Sequence, residues 1–119
     1  MAILQSLRKK LDFQRVMESG ESWSDLKFVL VASNQIPSSV TTRFGFSVSK
    51  RIGNAVIRNQ MKRRLRSIVY SFDYAGGRDA VLIARRGSIG CTYKEIERSV
   101  SGLLIKSGIA TDRLESKTR

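Results

Sequence analysis

The first periodic segment of the chain predicts a short helix. Phe13, Val16 and Met17 recur at the spacing of one helical face. Asp12 is a suitable N-cap for this segment, and Gly20 is a suitable stop. We therefore expect a first helix of about two turns, with one apolar side facing the rest of the protein.

Two segments with the composition of strands come next. The segment "LKFVLVAS" (26–33) is rich in β-branched and other apolar residues, and "TTRFGFSVS" (41–49) alternates between apolar and small or polar residues. The turn residues "NQIPSS" (34–39) separate them, so the order predicts a hairpin of two antiparallel strands. The phenylalanines of the second strand point to the core, which leaves its opposite face small, polar and open.

The longest helical pattern starts after Asn54, a favourable N-cap residue, and continues until "AGG" (75–77). Its apolar positions follow the period of a single helical face. They are Ile57, Met61, Leu65, Ile68 and Phe72. This helix is the most strongly marked element of the chain.

Two further elements complete the pattern. The apolar run "DAVLIAR" (79–85) predicts a buried strand, and Thr92 and Glu95 form a capping box before a last helix that closes at Gly108. No repeat or linker divides the 119 residues, so we predict a single α+β domain. Its order would be α-β-β-α-β-α around one mixed sheet. The tail, 110–119, has no periodic apolar face and is expected to fray.

Positive charge is concentrated in the middle of the chain. The net charge is +12, and residues 26–72 hold nine Lys and Arg residues and no Asp or Glu. The first 25 residues, in contrast, are neutral overall. A field of this kind attracts a polyanion, so nucleic acid is the leading partner class and an anionic membrane surface is the second.

Most of that charge lies on one side of the longest predicted helix. A step of about 100° per residue places Arg58, Lys62 and Arg66 opposite the apolar residues, with Asn59 and Arg63 beside them. Like charges one turn apart repel by roughly 0.2–0.5 kcal/mol, and a helix that only needed solvation would interleave Glu. The alternative is a solvated basic surface. We favour a phosphate-binding face, because guanidinium groups donate paired hydrogen bonds to phosphate oxygens.

Several function classes are disfavoured by what the sequence lacks. It has no His and a single cysteine, Cys91, so an intramolecular disulfide, a Cys-based metal site and a histidine general base are excluded. Cys91 is expected to be a buried thiol. No apolar run approaches the roughly 18–20 residues of a membrane span, and the start of the chain lacks the order of a secretory signal. We expect a soluble, cytoplasmic protein.

The segment "FSVSKRIGNAVIRNQMKRRLR" (46–66) resembles the signature of the bacterial ribonuclease P protein subunit, the small basic partner of a catalytic RNA. The likeness includes the strand end "SVSK", the approach "GNAV" and the Arg-Asn pair with the spaced cations after it. It continues weakly through most of the chain. The resemblance implies an α/β sandwich whose crossover around the basic helix is left-handed, against the usual right-handed default.

The resemblance also implies a function and a set of partners. The chain would be a subunit of an endoribonuclease that removes the 5′ leader of precursor tRNA, as a monomer bound once per RNA. Catalysis would belong to the RNA subunit and to Mg²⁺ held mainly by that RNA, with no catalytic or metal-binding residue in this chain. Contacts with the RNA subunit would fall on Lys50, Arg51, Arg58, Asn59, Lys62, Arg63 and Arg66. The leader would lie in a cleft formed by Phe13, Met17, Val31 and Ser47, with Arg58 at its border.

Three positions depart from the family pattern. Gln60 stands where an Arg-Asn-Arg triplet usually has its second cation, and Met17 and Val31 stand where aromatic residues are frequent. Base stacking in the cleft would therefore depend on Phe13. An apolar helix face is core by default, so Phe13 is open to either role.

Two rival functions follow from the residues themselves. A general RNA-binding or ribosome-associated protein would share the basic helix but would not need a neutral cleft beside it. A self-sufficient metal nuclease would use carboxylates such as Asp73 and Asp79.

Overall fold

The computed structural model describes residues 5–7, 9–33, 42–74 and 77–113. Within these ranges the chain forms three α-helices, one five-stranded sheet and one two-stranded sheet. None of the described helices combines the length and the hydrophobicity of a membrane span. In chain order the elements are β1 (Gln5–Ser6), α1 (Lys10–Ser19), β2 (Glu21–Ser24), β3 (Phe28–Ala32), β4 (Arg43–Ser47), α2 (Ala55–Val69), β5 (Phe72–Tyr74), β6 (Asp79–Ala84), a 3-10 turn (Arg86–Ser88), α3 (Tyr93–Lys106) and β7 (Ala110–Arg113).

The large sheet is mixed, with the strand order β1-β4-β6-β3-β2. β4 runs parallel to both β1 and β6, and β3 runs antiparallel to both β6 and β2. The predicted hairpin of β3 and β4 is wrong, because β6 lies between them and pairs with both. Five of the six side chains of β6 are buried, whereas β4 is more exposed. β6 is therefore better suited to the central position of the sheet. The predicted turn "NQIPSS" lies outside the described residues.

Helices cover both faces of the large sheet, and this confirms the α/β sandwich that the family resemblance implies. α2 and α3 cover one face over the larger core, in which Phe28, Leu65 and Leu104 are completely buried. α1 covers part of the other face, where Val16 packs with Val31 in a smaller core. The crossover from β4 through α2 to the parallel strand β6 is also as predicted, and its hand stays a prediction.

α1 ends as the sequence predicts but begins differently. Its N-cap position is Lys9, which makes no side-chain capping bond. Asp12 lies in the first turn and its Oδ2 accepts a 3.5 Å hydrogen bond from Arg43, so this carboxylate faces the sheet rather than the helix end. At the end of the helix, the Gly20 N–H donates a 2.8 Å hydrogen bond to the Val16 carbonyl oxygen. A Cβ atom at position 20 would come within 2.6 Å of that oxygen, so only glycine fits here without a shift.

The other two helices have the predicted caps. The Asn54 side chain accepts a 3.0 Å hydrogen bond from the Ile57 N–H at the start of α2. At α3, the Thr92 N–H donates to the Glu95 carboxylate at 2.8 Å, and this bond lowers the pKa of Glu95. Phe72, predicted on the longest helix, lies instead in β5. Phe72 would be buried in a helix or in a strand, so the spacing of apolar residues alone does not distinguish the two structures.

The segment after α3 is more ordered than the sequence suggests. β7 pairs antiparallel with β5, so the prediction of a fraying tail is wrong for Ala110–Arg113. Gly108 precedes this strand with a φ of 76°, a conformation that glycine adopts without strain. The remaining tail, 114–119, lies outside the described residues.

Candidate nucleic-acid interface

The outward side of α2 carries a group of cations that tertiary packing holds toward solvent. The inward side is buried through Met61, Leu65, Ile68 and Val69, and this burial fixes the rotation of the helix about its axis. The outward side carries no acidic residue. Its residues, called the basic face below, are Arg58, Asn59, Lys62, Arg63 and Arg66. Asn59, Arg63 and Arg66 are exposed, and the other two are half-buried.

Two arginines of the basic face are in defined environments. The Arg66 guanidinium carbon lies 5.9 Å from the ring centroid of Phe46 on β4, which is a cation–π distance. The Nε atom of Arg58 is buried and has no hydrogen-bond partner among the described residues. A buried donor without an acceptor costs about 1–3 kcal/mol.

The turn before α2 extends the basic face. Lys50 and Arg51 are exposed there, and the next residue, Ile52, is buried and anchors the turn to the larger core. The Ile52 N–H donates a 3.0 Å hydrogen bond to the Ser49 carbonyl, which closes the turn. The residues predicted to contact an RNA subunit therefore lie on one turn and on one side of the helix that follows it.

One row of residues across the large sheet is covered by α1. Gly45, Val81 and Val31 are in register on β4, β6 and β3 and share one face of the sheet. Val31 is only 4% exposed, in contact with the smaller core under α1. The prediction that Val31 lines an open cleft is therefore wrong. Strand alternation gives its face correctly, but α1 covers this part of that face.

The next row of the same face is left partly open. Ser47, Ile83 and Val29 are in register across the same three strands, and all three are half-buried. These three residues are called the open row below. The sequence predicted Ser47 here and missed Val29 and Ile83. Strand alternation could have identified both, because Val29 and Ile83 are each two positions from a residue of the covered row and must face the same side of the sheet.

Phe13 of α1 lies over Gly45. A Cβ atom at position 45 would come within 2.4 Å of the Cζ atom of the Phe13 ring, so a side chain there would displace the ring. Phe13 is half-buried and packs against the edge of the smaller core together with Val29 and Ile83 of the open row. Met17, one turn further along α1, is 48% exposed.

An ion-pair cluster ties α1 to the sheet. Arg43 donates from Nε and Nη2 to the two carboxylate oxygens of Asp79 at 2.8 and 2.6 Å, and it also reaches Asp12 on α1. Hydrogen bonding to Asp79 raises the pKa of Arg43, although burial opposes this. Asp79, which the metal-nuclease hypothesis needs, is thus held in an ion pair. Among the described residues there is no group of three or more His, Cys, Asp or Glu side chains that could hold a metal ion.

The thiol of Cys91 is less buried than the sequence suggests. It is half-buried, packs against the larger core and donates to the Gly87 carbonyl with an Sγ to oxygen distance of 3.3 Å. It lies in the segment between the 3-10 turn and α3. The expectation of a fully buried thiol is therefore wrong, because this segment runs along the surface.

Known proteins are similar to this chain in both sequence and fold. The family described as Ribonuclease P matches residues 1–108. The "Ribonuclease P protein component" of Clostridium novyi (strain NT) is 39% identical over 108 residues, which cover 88% of this chain and 95% of that protein. The protein of the same description from Bacillus cereus (strain B4264) is 35% identical over 105 residues, which cover 87% of this chain and 90% of that protein.

Two solved structures have the same architecture. The RNase P protein of Staphylococcus aureus superimposes with a TM-score of 0.78 at 32% identity, over 87% of this chain and 95% of that one. The RNase P protein from Thermotoga maritima superimposes with a TM-score of 0.73, over 86% of this chain and 96% of that one. At 24% identity the second likeness supports the fold alone.

Proposed function

Because the chain belongs to the ribonuclease P protein family, we propose that it binds the RNA subunit of that enzyme through the basic face. Membership gives the chain the role of a protein subunit in a tRNA-processing endoribonuclease, with the ribonuclease P RNA and precursor tRNA as its partners. The observation that carries the proposal is the acid-free outward side of α2. Cations in such an array bind phosphates and release the counterions that the RNA had condensed.

Two arginines of the basic face support the same assignment. Arg58 is half-buried, so packing already limits its side chain, and its guanidinium can donate to a phosphate or ribose oxygen that docks against α2. Arg66 is held near the Phe46 ring, so less side-chain freedom is lost when it binds. Lys50 and Arg51 extend the contact to the turn before the helix.

We further propose that the 5′ leader of precursor tRNA lies along the open row. A half-buried apolar floor suits unpaired bases, and Phe13 offers an aromatic ring next to that floor. Met17 is accessible one turn further along α1. Arg58 is assigned to the leader backbone because the family resemblance implies it. Val31 lies in the neighbouring row, which α1 covers, and makes no contact with the leader.

Catalysis is assigned to the RNA subunit, with Mg²⁺ that this RNA holds. The metal ion supplies charge stabilisation and an activated water for phosphodiester hydrolysis. The residues of this chain bind and orient the two RNA molecules. A single copy of the chain per RNA and a cytoplasmic location stay predictions.

The proposal predicts the outcome of a reconstitution experiment. Precursor tRNA is incubated with the protein alone, with a bacterial ribonuclease P RNA alone, and with both, in Mg²⁺-containing buffer. We expect no cleavage by the protein alone, and faster cleavage at the mature 5′ end with both components than with RNA alone at limiting substrate. Cleavage by the protein alone would instead support the metal nuclease. A protein that binds unrelated RNA equally and does not stimulate cleavage would be a general RNA-binding protein.

A second prediction concerns Asp79. Replacing it by Asn leaves Arg43 with only the longer, 3.5 Å contact to Asp12, so we expect the free energy of unfolding to fall by about 1–3 kcal/mol. The rate of the chemical step in the reconstituted enzyme should stay near that of the wild type. Thermal unfolding and single-turnover cleavage at saturating protein measure the two effects. The companion variant is Asp73→Asn, for which we also expect a chemical step as fast as in the wild type. A thousandfold slower chemical step in either folded variant would contradict the assignment of catalysis to the RNA.

A further inference from the structure

A groove lies between α2 and the segment that precedes α3, on a side of α2 that the basic face does not occupy. Its volume is about 230 Å³. α2 contributes Ile57, Gln60 and Arg64, and the other wall includes Ile89 and Cys91. Among the described residues that line the groove, Arg64 is charged and none is acidic.

The two walls of the groove carry large apolar side chains that the fold leaves accessible. Ile57 is 45% exposed and Ile89 is 51% exposed. Ile57 was predicted on the buried side of α2, but it lies in the first turn, where the larger core no longer covers the helix. Accessible apolar side chains bordered by polar groups are typical of interaction sites.

We propose that this groove receives an unpaired nucleobase of the RNA that the basic face binds, an inference that rests on the proposed function. The flat face of a base would contact the accessible side chains of Ile57 and Ile89. The Gln60 amide, which has both a donor and an acceptor, is placed to bond the base edge, as in other recognition of single-stranded RNA. Arg64 neutralises the phosphate of the same nucleotide.

Two observations favour a nucleobase over a protein partner. The groove is continuous with a cationic helix and contains no described carboxylate, so its charge suits a nucleic acid. A stable protein interface has about 20–30 residues on each side, whereas nine described residues line this groove.

The first test compares two matched double variants by their affinity for a ribonuclease P RNA. Ile57→Ala with Ile89→Ala should weaken binding about tenfold, or about 1.4 kcal/mol, because the base loses its apolar contacts with both walls. The dependence of affinity on salt should not change, because no phosphate contact is lost. Leu11→Ala with Ile105→Ala is the control, because these residues are at least as exposed and do not line the groove. Equal affinities of the two double variants would overturn the proposal.

The second test uses the single thiol of the chain. Cys91 lines the groove, so iodoacetamide should alkylate it several-fold more slowly in the RNA complex than in the free protein. Equal rates in the two states would reject an occupied groove. Protection that appears on raising the protein concentration without RNA would assign the groove to a second copy of the chain. Failure of the wild-type protein to bind the RNA at all would reject the proposed function as well.

Discussion

Replacing Arg58, Lys62 and Arg66 together by alanine should weaken binding to a ribonuclease P RNA by about 1,000-fold or more, because each lost charged hydrogen bond is worth roughly 1.5–3 kcal/mol. The three side chains lie one turn apart on the basic face, where no acidic residue offsets them. The slope of log affinity against log salt should become shallower by about 2–3, since each phosphate contact contributes nearly one unit. Titrations at several salt concentrations measure both quantities.

The control for this variant has the same change of net charge at another place. Lys10, Arg86 and Lys94 are exposed and lie outside α2. Their replacement by alanine should change the affinity much less and leave most of the salt dependence. Equal losses in the two triple variants would mean that net charge, not the basic face, attracts the RNA. Circular dichroism and thermal unfolding establish that both variants are folded.

Gly45→Ala should selectively weaken binding of precursor tRNA with a leader of several nucleotides. The added Cβ atom would lie 2.4 Å from the end of the Phe13 ring, which must then move out of its place beside the open row. A lost stacking contact is worth about 1–3 kcal/mol, so we expect at least about a fivefold loss for the holoenzyme. Binding of mature tRNA, which has no leader, should be almost unchanged.

A double-mutant cycle separates this effect from a general loss of stability. Phe13→Ala should also weaken binding of the leader, and Gly45→Ala should add little once the ring is absent, because the two changes act on the same contact. If Phe13 serves only as core, its replacement costs up to about 3–5 kcal/mol of stability and weakens both RNAs alike. Equal losses for precursor and mature tRNA would therefore reject the leader cleft.

The helices and their chemistry were largely predictable, because the signals that define them are local. The Asn54 cap and the box formed by Thr92 and Glu95 use bonds between residues three apart. The basic face follows from the period of the helix and from the absence of acidic residues in 26–72. The sequence alone was also sufficient for the family resemblance that the comparisons confirm.

Which strands pair, and which part of the sheet a helix covers, depended on contacts between distant segments of the chain. An alternating pattern shows which side chains share a face, but it does not show which strand lies beside which. β6 therefore separates β3 from β4, which the short connection between them did not suggest. β7 likewise forms only because β5 offers it a free edge.

By itself, the sequence determined where the chain is helical, where its charge lies and which residues face the sheet side opposite α2. Tertiary structure decided which of those residues are accessible. α1 covers the sheet at Val31 and leaves Val29 and Ile83 partly open, although all three side chains lie on the same face of the sheet. Asp12 and Asp79 likewise take their partners from Arg43, 31 and 36 positions away in the chain. Such choices depend on how helix and sheet pack against each other, and no local pattern of residues encodes that geometry.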